Sequence, residues 1–192
     1  MSIAAYLVLA LAIGITAMIH LRNCAAATSV KLARGLAVAF ILAAIYVLLY
    51  LLGISLGDIL RIEGKESADL FARANAFIFL GLAVFVALRM LAPYLRRNPK
   101  PAVFDLRTWT SVLALSVATG INVLLLGIGM GFSSPLAGHT HLAIWPLFGF
   151  TFLLGYLGIM FGRQKVAMRP RRWMIVAGIF ILGTAIAAVI NA

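Results

Sequence analysis

Thr16, Thr119 and Asn122 are polar side chains set deep inside largely hydrocarbon stretches. A hydroxyl or carboxamide in a lipid core has no water to bond with, so it faces another helix or a wet cavity. Asn122 lies in the segment SVATGINVLLLGIGMGF, from Ser116 to Phe132, just ahead of Gly127, Gly129 and Gly131. On a helix it shares a face with Thr119 and Gly129. Thr16 lies in LALAIGITAM near the start of the chain, and Gly14-Ile15-Thr16 overlies Gly120-Ile121-Asn122. Two chemistries fit such groups. They are oxygen ligands for a substrate or ion held between two halves of the molecule, or they are interhelical hydrogen bonds, about 0.6 kcal/mol each.

Other chemistry is thinly represented. The five carboxylates, Asp58, Glu63, Glu66, Asp69 and Asp105, fall outside the apolar stretches or at their ends. Hard divalent cations call for charged oxygen ligands, so no dedicated divalent-metal path is expected and no metal ligand is assigned. His139 and His141 share one loop, but two imidazoles without a third ligand do not make a metal site. His20 follows Thr16 by one helical turn and is expected at the opposite membrane face. Cys24 is the single cysteine, which excludes an intrachain disulfide and a cysteine cluster. No nucleophile–base pair, phosphate loop or hydrolase motif is present, so neither an enzyme nor a cofactor is expected.

The elements that carry these residues follow from composition. The chain of 192 residues is 64% hydrophobic and 11% charged, with mean hydropathy +1.10. No soluble domain of this size hides that much apolar surface, so the class is an all-α integral membrane protein. Six spans are expected at Ile3–Leu21, Leu32–Gly57, Leu70–Leu91, Trp109–Gly131, Leu142–Gly162 and Trp173–Ile190, each near the about 20 residues a bilayer needs. The N-terminal stretch lacks the basic region of a signal peptide and is read as the first span.

The net charge of +11 would suggest nucleic acid in a soluble domain, but here the cations sit between spans. The first loop holds Arg22, Lys31 and Arg34; the third holds Arg96, Arg97, Lys100 and Arg107; the fifth holds Arg163, Lys165, Arg169, Arg171 and Arg172. The positive-inside rule then places loops one, three and five in the cytoplasm and both termini outside. Cys24 falls in the first of these loops. Trp109 and Trp173 fit the aromatic belt beside that face, and Arg89 fits a side chain snorkelling to it.

The loop 93–107, with Pro93, Pro99 and Pro101, divides a single membrane domain (1–192) into repeat 1 (about 1–92) and repeat 2 (about 108–192). Three spans per half make the repeats inverted. Span two ends LGISLG at Leu52–Gly57 and span five ends LGIMFG at Leu157–Gly162, at nearly the same offset as the first pair of motifs. Gly53 with Gly57, Gly127 with Gly131, and Gly158 with Gly162 are candidates for close helix packing. Thr16 and Asn122 each lie thirteen residues into their spans, about 20 Å from opposite faces, which puts both near the midplane.

This arrangement, a glycine-rich fourth span in two inverted three-helix halves, resembles the small manganese efflux pumps (MntP-like) of the LysE-type exporter superfamily. The likeness runs through SVATGINVLLLGIGMGF in span four, Leu88-Arg89-Met90 in span three, Leu157 to Arg163 in span five and Gly178 to Gly183 in span six. The resemblance implies six spans and an exporter fold. It also implies an aspartate in the first and fourth spans, where this chain has Thr16 and Asn122, and an acidic position in span two that falls near Tyr46. The expected function is efflux of a cation or small solute through a neutral polar site at Thr16, Thr119 and Asn122. The alternative is a non-transporting accessory or structural subunit on a transporter-derived scaffold. The expected partners are membrane lipids, the cation or solute, and other membrane subunits, with no nucleic acid.

Overall fold

The computed structural model describes residues 3–28, 30–61, 68–95, 103–133 and 140–190. Six helices carry these residues: α1 (Ile3–Ala27), α2 (Leu32–Ile59), α3 (Ala68–Leu95), α4 (Trp109–Ser133), α5 (Thr140–Arg163) and α6 (Pro170–Ile190). Each is long and apolar enough to cross a bilayer. They are apolar all round, as helices with one side on protein and the other on lipid must be. Leu9, Leu42, Phe79, Leu126 and Met130 fill the interior, while Phe40, Leu48, Phe77, Phe85, Leu88 and Trp145 remain exposed for lipid.

All six helices run past their expected bounds, and α1 and α3 do so by a full turn or more. Helix α1 continues six residues beyond Leu21, so Cys24 belongs to a helix rather than a loop, and it is fully buried. Helix α3 continues through Pro93 to Leu95, so the connector to α4 starts later than Pro93. A proline near a helix end removes one backbone bond, which flanking structure can re-satisfy. Pro146 is likewise carried inside α5.

The closest packing is α1 on α5, α2 on α4 and α3 on α6, followed by α1 on α6, α2 on α5 and α3 on α4. Exchanging α1, α2 and α3 with α4, α5 and α6 returns the same set of pairs. Glycines explain how two of these seams close. Along α2 and α4, Gly53 and Gly57 stand against Gly127 and Gly131, and a Cβ on any of the four would meet backbone atoms of the facing helix. Along α1 and α5, Gly158 would meet Met18 and Gly162 would meet Arg22 and Ala25. The absence of side chains is what lets these backbones touch. Above each seam, Gly14 packs on Leu154 and Gly120 on Leu49. Leu49 and Leu154 are 105 residues apart, the same separation as Gly53 and Gly158.

The first, third and fifth loops meet at one end of the bundle. Arg22 donates from Nη2 to the Val166 carbonyl at 2.8 Å, and the Phe104 N–H points at the Cys24 sulfur, 3.4 Å away. Arg34 donates from Nε to the Leu106 carbonyl at 3.0 Å and lies 4.5 Å over the Trp109 ring. Arg107 donates its backbone N–H and its Nε to the Asp105 carboxylate, at 2.9 and 3.1 Å. The backbone donor first, and then the guanidinium, hold that carboxyl below its usual range. This turn leads directly into α4.

Candidate functional site

Helix α4 presents Leu115, Ala118, Thr119 and Asn122 as one stripe at i, i+3, i+4 and i+7. That stripe forms one wall of a cavity of about 300 Å³. The end of α3 adds Arg89, Met90, Pro93 and Tyr94; α1 adds His20; and the connector before α4 adds Phe104. All these residues lie toward the end of the bundle that carries the first, third and fifth loops. At 1.5 Å per residue, Leu115 is about 9 Å and Asn122 about 20 Å from the start of α4. The cavity lining therefore follows about 10 Å of α4, from Leu115 to Asn122.

Two buried polar atoms in its walls lack partners. The Asn122 Oδ1 accepts no hydrogen bond, and neither does the Tyr94 hydroxyl make one, although the Asn23 carboxamide is close to it. A buried carbonyl oxygen with no donor is costly, so an orphan beside a cavity marks a place where a guest can bond. Thr119 is different. Its hydroxyl donates to the Leu115 carbonyl at 2.7 Å within α4, and the Tyr46 phenol lies beside it. Its remaining lone pair is what it can offer a guest.

Thr16 does not line this cavity. It is 8% exposed and donates to the Ile13 carbonyl at 2.7 Å within its own helix. The α1 residue that reaches the cavity is His20, one turn further on. A span ending at Leu21 would put it at the membrane face; the extra turns of α1 place it seven residues inside the helix, half-buried. Arg89, largely exposed, also lines the cavity. The spacing of Thr16 and His20, and of Arg89 and Pro93, was the available signal for both.

The remaining candidates lie apart. Asp58 is exposed at the end of α2, and Asp105 is held by Arg107. Glu63, Glu66 and His139 fall outside the described residues, as do the side chains of Asp69 and His141. Among the described residues no three His, Cys, Asp or Glu side chains come together as a metal site.

Six helices long and apolar enough to cross a bilayer, with a largely apolar cavity among them that carries a few polar groups, define a multi-pass membrane protein. Residues 29–189 match the family model described as "Putative manganese efflux pump" (Mntp), and the chain belongs to that family. No curated protein and no solved structure matches it. Family and fold together make it a membrane protein of the efflux class, a transporter family rather than an enzyme family.

Proposed function

We propose that the protein exports a small polar solute, or a cation bound through neutral oxygens, by way of the cavity at Asn122. The observation that carries this reading is the unpartnered Asn122 Oδ1 in the wall of a cavity of about 300 Å³. Thr119 and Tyr94 add neutral oxygens around it. His20 adds an imidazole to the wall. A carboxylate-free wall that includes Arg89 suits a bare divalent ion poorly, since such ions are held by anionic oxygen. Manganese as cargo would therefore pass as a weakly held guest, without a tight resident site.

In this reading residues 1–92 and 108–192 are inverted copies. The exchange-invariant helix pairs and the Gly14–Leu154 and Gly120–Leu49 contacts support it. Alternating access would then expose Asn122 to one side and the face of Thr16 to the other.

Ala118 lines the cavity and has room in front of it. An Ala118→Trp side chain would fill much of that space without touching the glycine seams. Proteoliposomes loaded with manganese or a panel of small solutes are expected to release one of them with the wild-type protein. With the plugged variant release should fall at least about tenfold, at equal protein content, since entry itself is blocked. Release that is indifferent to the plug would remove the cavity from the pathway. If no solute moves even with the wild type, the accessory-subunit reading takes its place.

The basic end of the bundle belongs in the cytoplasm by the positive-inside rule. Cys24, the native thiol, cannot report on this because it is fully buried. Gln164, exposed just past α5, can. A Gln164→Cys protein is expected to resist an impermeant maleimide on intact cells and to react after permeabilisation, with wild type unreactive in both. Labelling of intact cells would reverse the orientation.

A further inference from the structure

A second cavity, about 690 Å³, opens where the first, third and fifth loops meet. Four cationic side chains line it, Lys31, Arg107, Arg163 and Lys165, with no carboxylate among the lining residues. Arg107 is paired with Asp105. For Lys31, Arg163 and Lys165 there is no ion pair among the described residues. Like charges around one concavity repel unless an anion answers them. Arg22 and Arg34 show the contrasting use of cations at this end, since both bond backbone carbonyls.

Two local choices sharpen the point. Helix α5 closes with paired bonds from Lys165 N–H to the Gly162 carbonyl and from Val166 N–H to the Phe161 carbonyl, at 3.1 and 3.0 Å. This is the Schellman closure, whose left-handed residue is ordinarily glycine. Here it is Lys165, at φ 50°. The chain thus accepts a strained backbone to keep an ammonium at the cavity. Lys31, in turn, occupies the cap of α2 and makes no side-chain capping bond. A cation at that end of a helix is unfavourable, and an anion there is favourable.

We propose that this cavity binds the phosphate of an anionic membrane lipid. Its depth favours a headgroup, because Ala27 ends α1 and Arg163 ends α5 beside it, at the boundary where hydrocarbon gives way to water. Basic pockets between spans at this level suit phosphate headgroups. Free inorganic phosphate has the same chemistry and is the other source.

The test uses the full-length protein in neutral detergent, with native mass spectrometry against phosphatidylglycerol, phosphatidylcholine and inorganic phosphate. Wild type is expected to hold one phosphatidylglycerol in preference to phosphatidylcholine. Affinity should fall about fivefold for Lys165→Gly and roughly 25-fold when Arg163→Gln is added. Lys165→Gly also relieves the left-handed strain, so its folded yield should match or exceed wild type, and a loss of lipid cannot be laid to misfolding. Undiminished phosphatidylglycerol binding in the double variant would overturn the site. So would equal binding of the two lipids. Binding of inorganic phosphate alone, with the same dependence on Lys165 and Arg163, would overturn the lipid assignment in favour of a free anion.

Discussion

Asn122→Ala is expected to bring efflux down by about tenfold to a hundredfold while the folded protein remains as stable as wild type. The two halves of that expectation have one cause. In the structure Asn122 Oδ1 is buried without a hydrogen-bond partner, so no interhelical bond through that oxygen is lost on truncation. An unsatisfied buried acceptor costs about 1–3 kcal/mol, and removing it gives part of that back. A residue that served only to hold helices together would behave oppositely, losing about 0.6 kcal/mol with no effect on flux. Transport, by contrast, loses the oxygen that replaces water around the guest, and a bond to a charged guest contributes about 1.5–3 kcal/mol. The measurements are efflux from loaded proteoliposomes and thermal unfolding in detergent on the same preparation. Normal flux with unchanged stability would sink the assignment. Asn122→Asp should raise divalent-cation binding, since it adds the charge that the cavity lacks.

Gly57→Leu is expected to abolish accumulation of folded protein, whereas Gly81→Leu should not. A Cβ at Gly57 would meet the Ile128 carbonyl oxygen and lie 3.0 Å from the Gly131 Cα, and both belong to backbone. A side chain can rotate away from an intruder, but a helix backbone cannot. Overpacking in cores costs about 1–3 kcal/mol where side chains yield, and this seam has none to yield. Even Gly57→Ala should lower the unfolding temperature clearly. At Gly81 nothing lies within 4 Å of the added carbon, so alanine there should gain up to about 1 kcal/mol of helix propensity. Size-exclusion profiles and melting curves of the four variants settle the matter. If Gly57→Ala melts with wild type, the α2–α4 contact is looser than described.

The spans were legible because apolar length is a direct consequence of bilayer thickness. The glycine seams were legible for a similar reason: glycines four residues apart leave only one sort of surface. Gly53 and Gly57 do lie against Gly127 and Gly131. Half of the candidate site was also in view, since Thr119 and Asn122 are polar where polarity is expensive. The other half was not. His20 and Arg89 sit close to span ends, where an interfacial position explains a charged side chain equally well. Deciding between the two needed the true ends of α1 and α3, and hydropathy fixes an end no better than within a few residues. The pairing of Asn122 with His20 rather than Thr16 depends on how far α1 slides along its neighbours. No single-helix pattern encodes that offset.

The crowding of cations at one end has an electrical consequence. In the described structure that end carries Arg22, Lys31 and Arg34, then Arg107, then Arg163, Lys165, Arg169, Arg171 and Arg172. Moving one elementary charge through a membrane potential of about 100 mV takes about 2.3 kcal/mol. With that end in the cytoplasm, the orientation proposed above from the positive-inside rule, turning the molecule over would carry this whole set against the field, work on the order of 20 kcal/mol, more than the total stability of an ordinary domain. The resting voltage of the cell thus acts as a latch on orientation. It is a latch set during insertion and independent of any contact between helices.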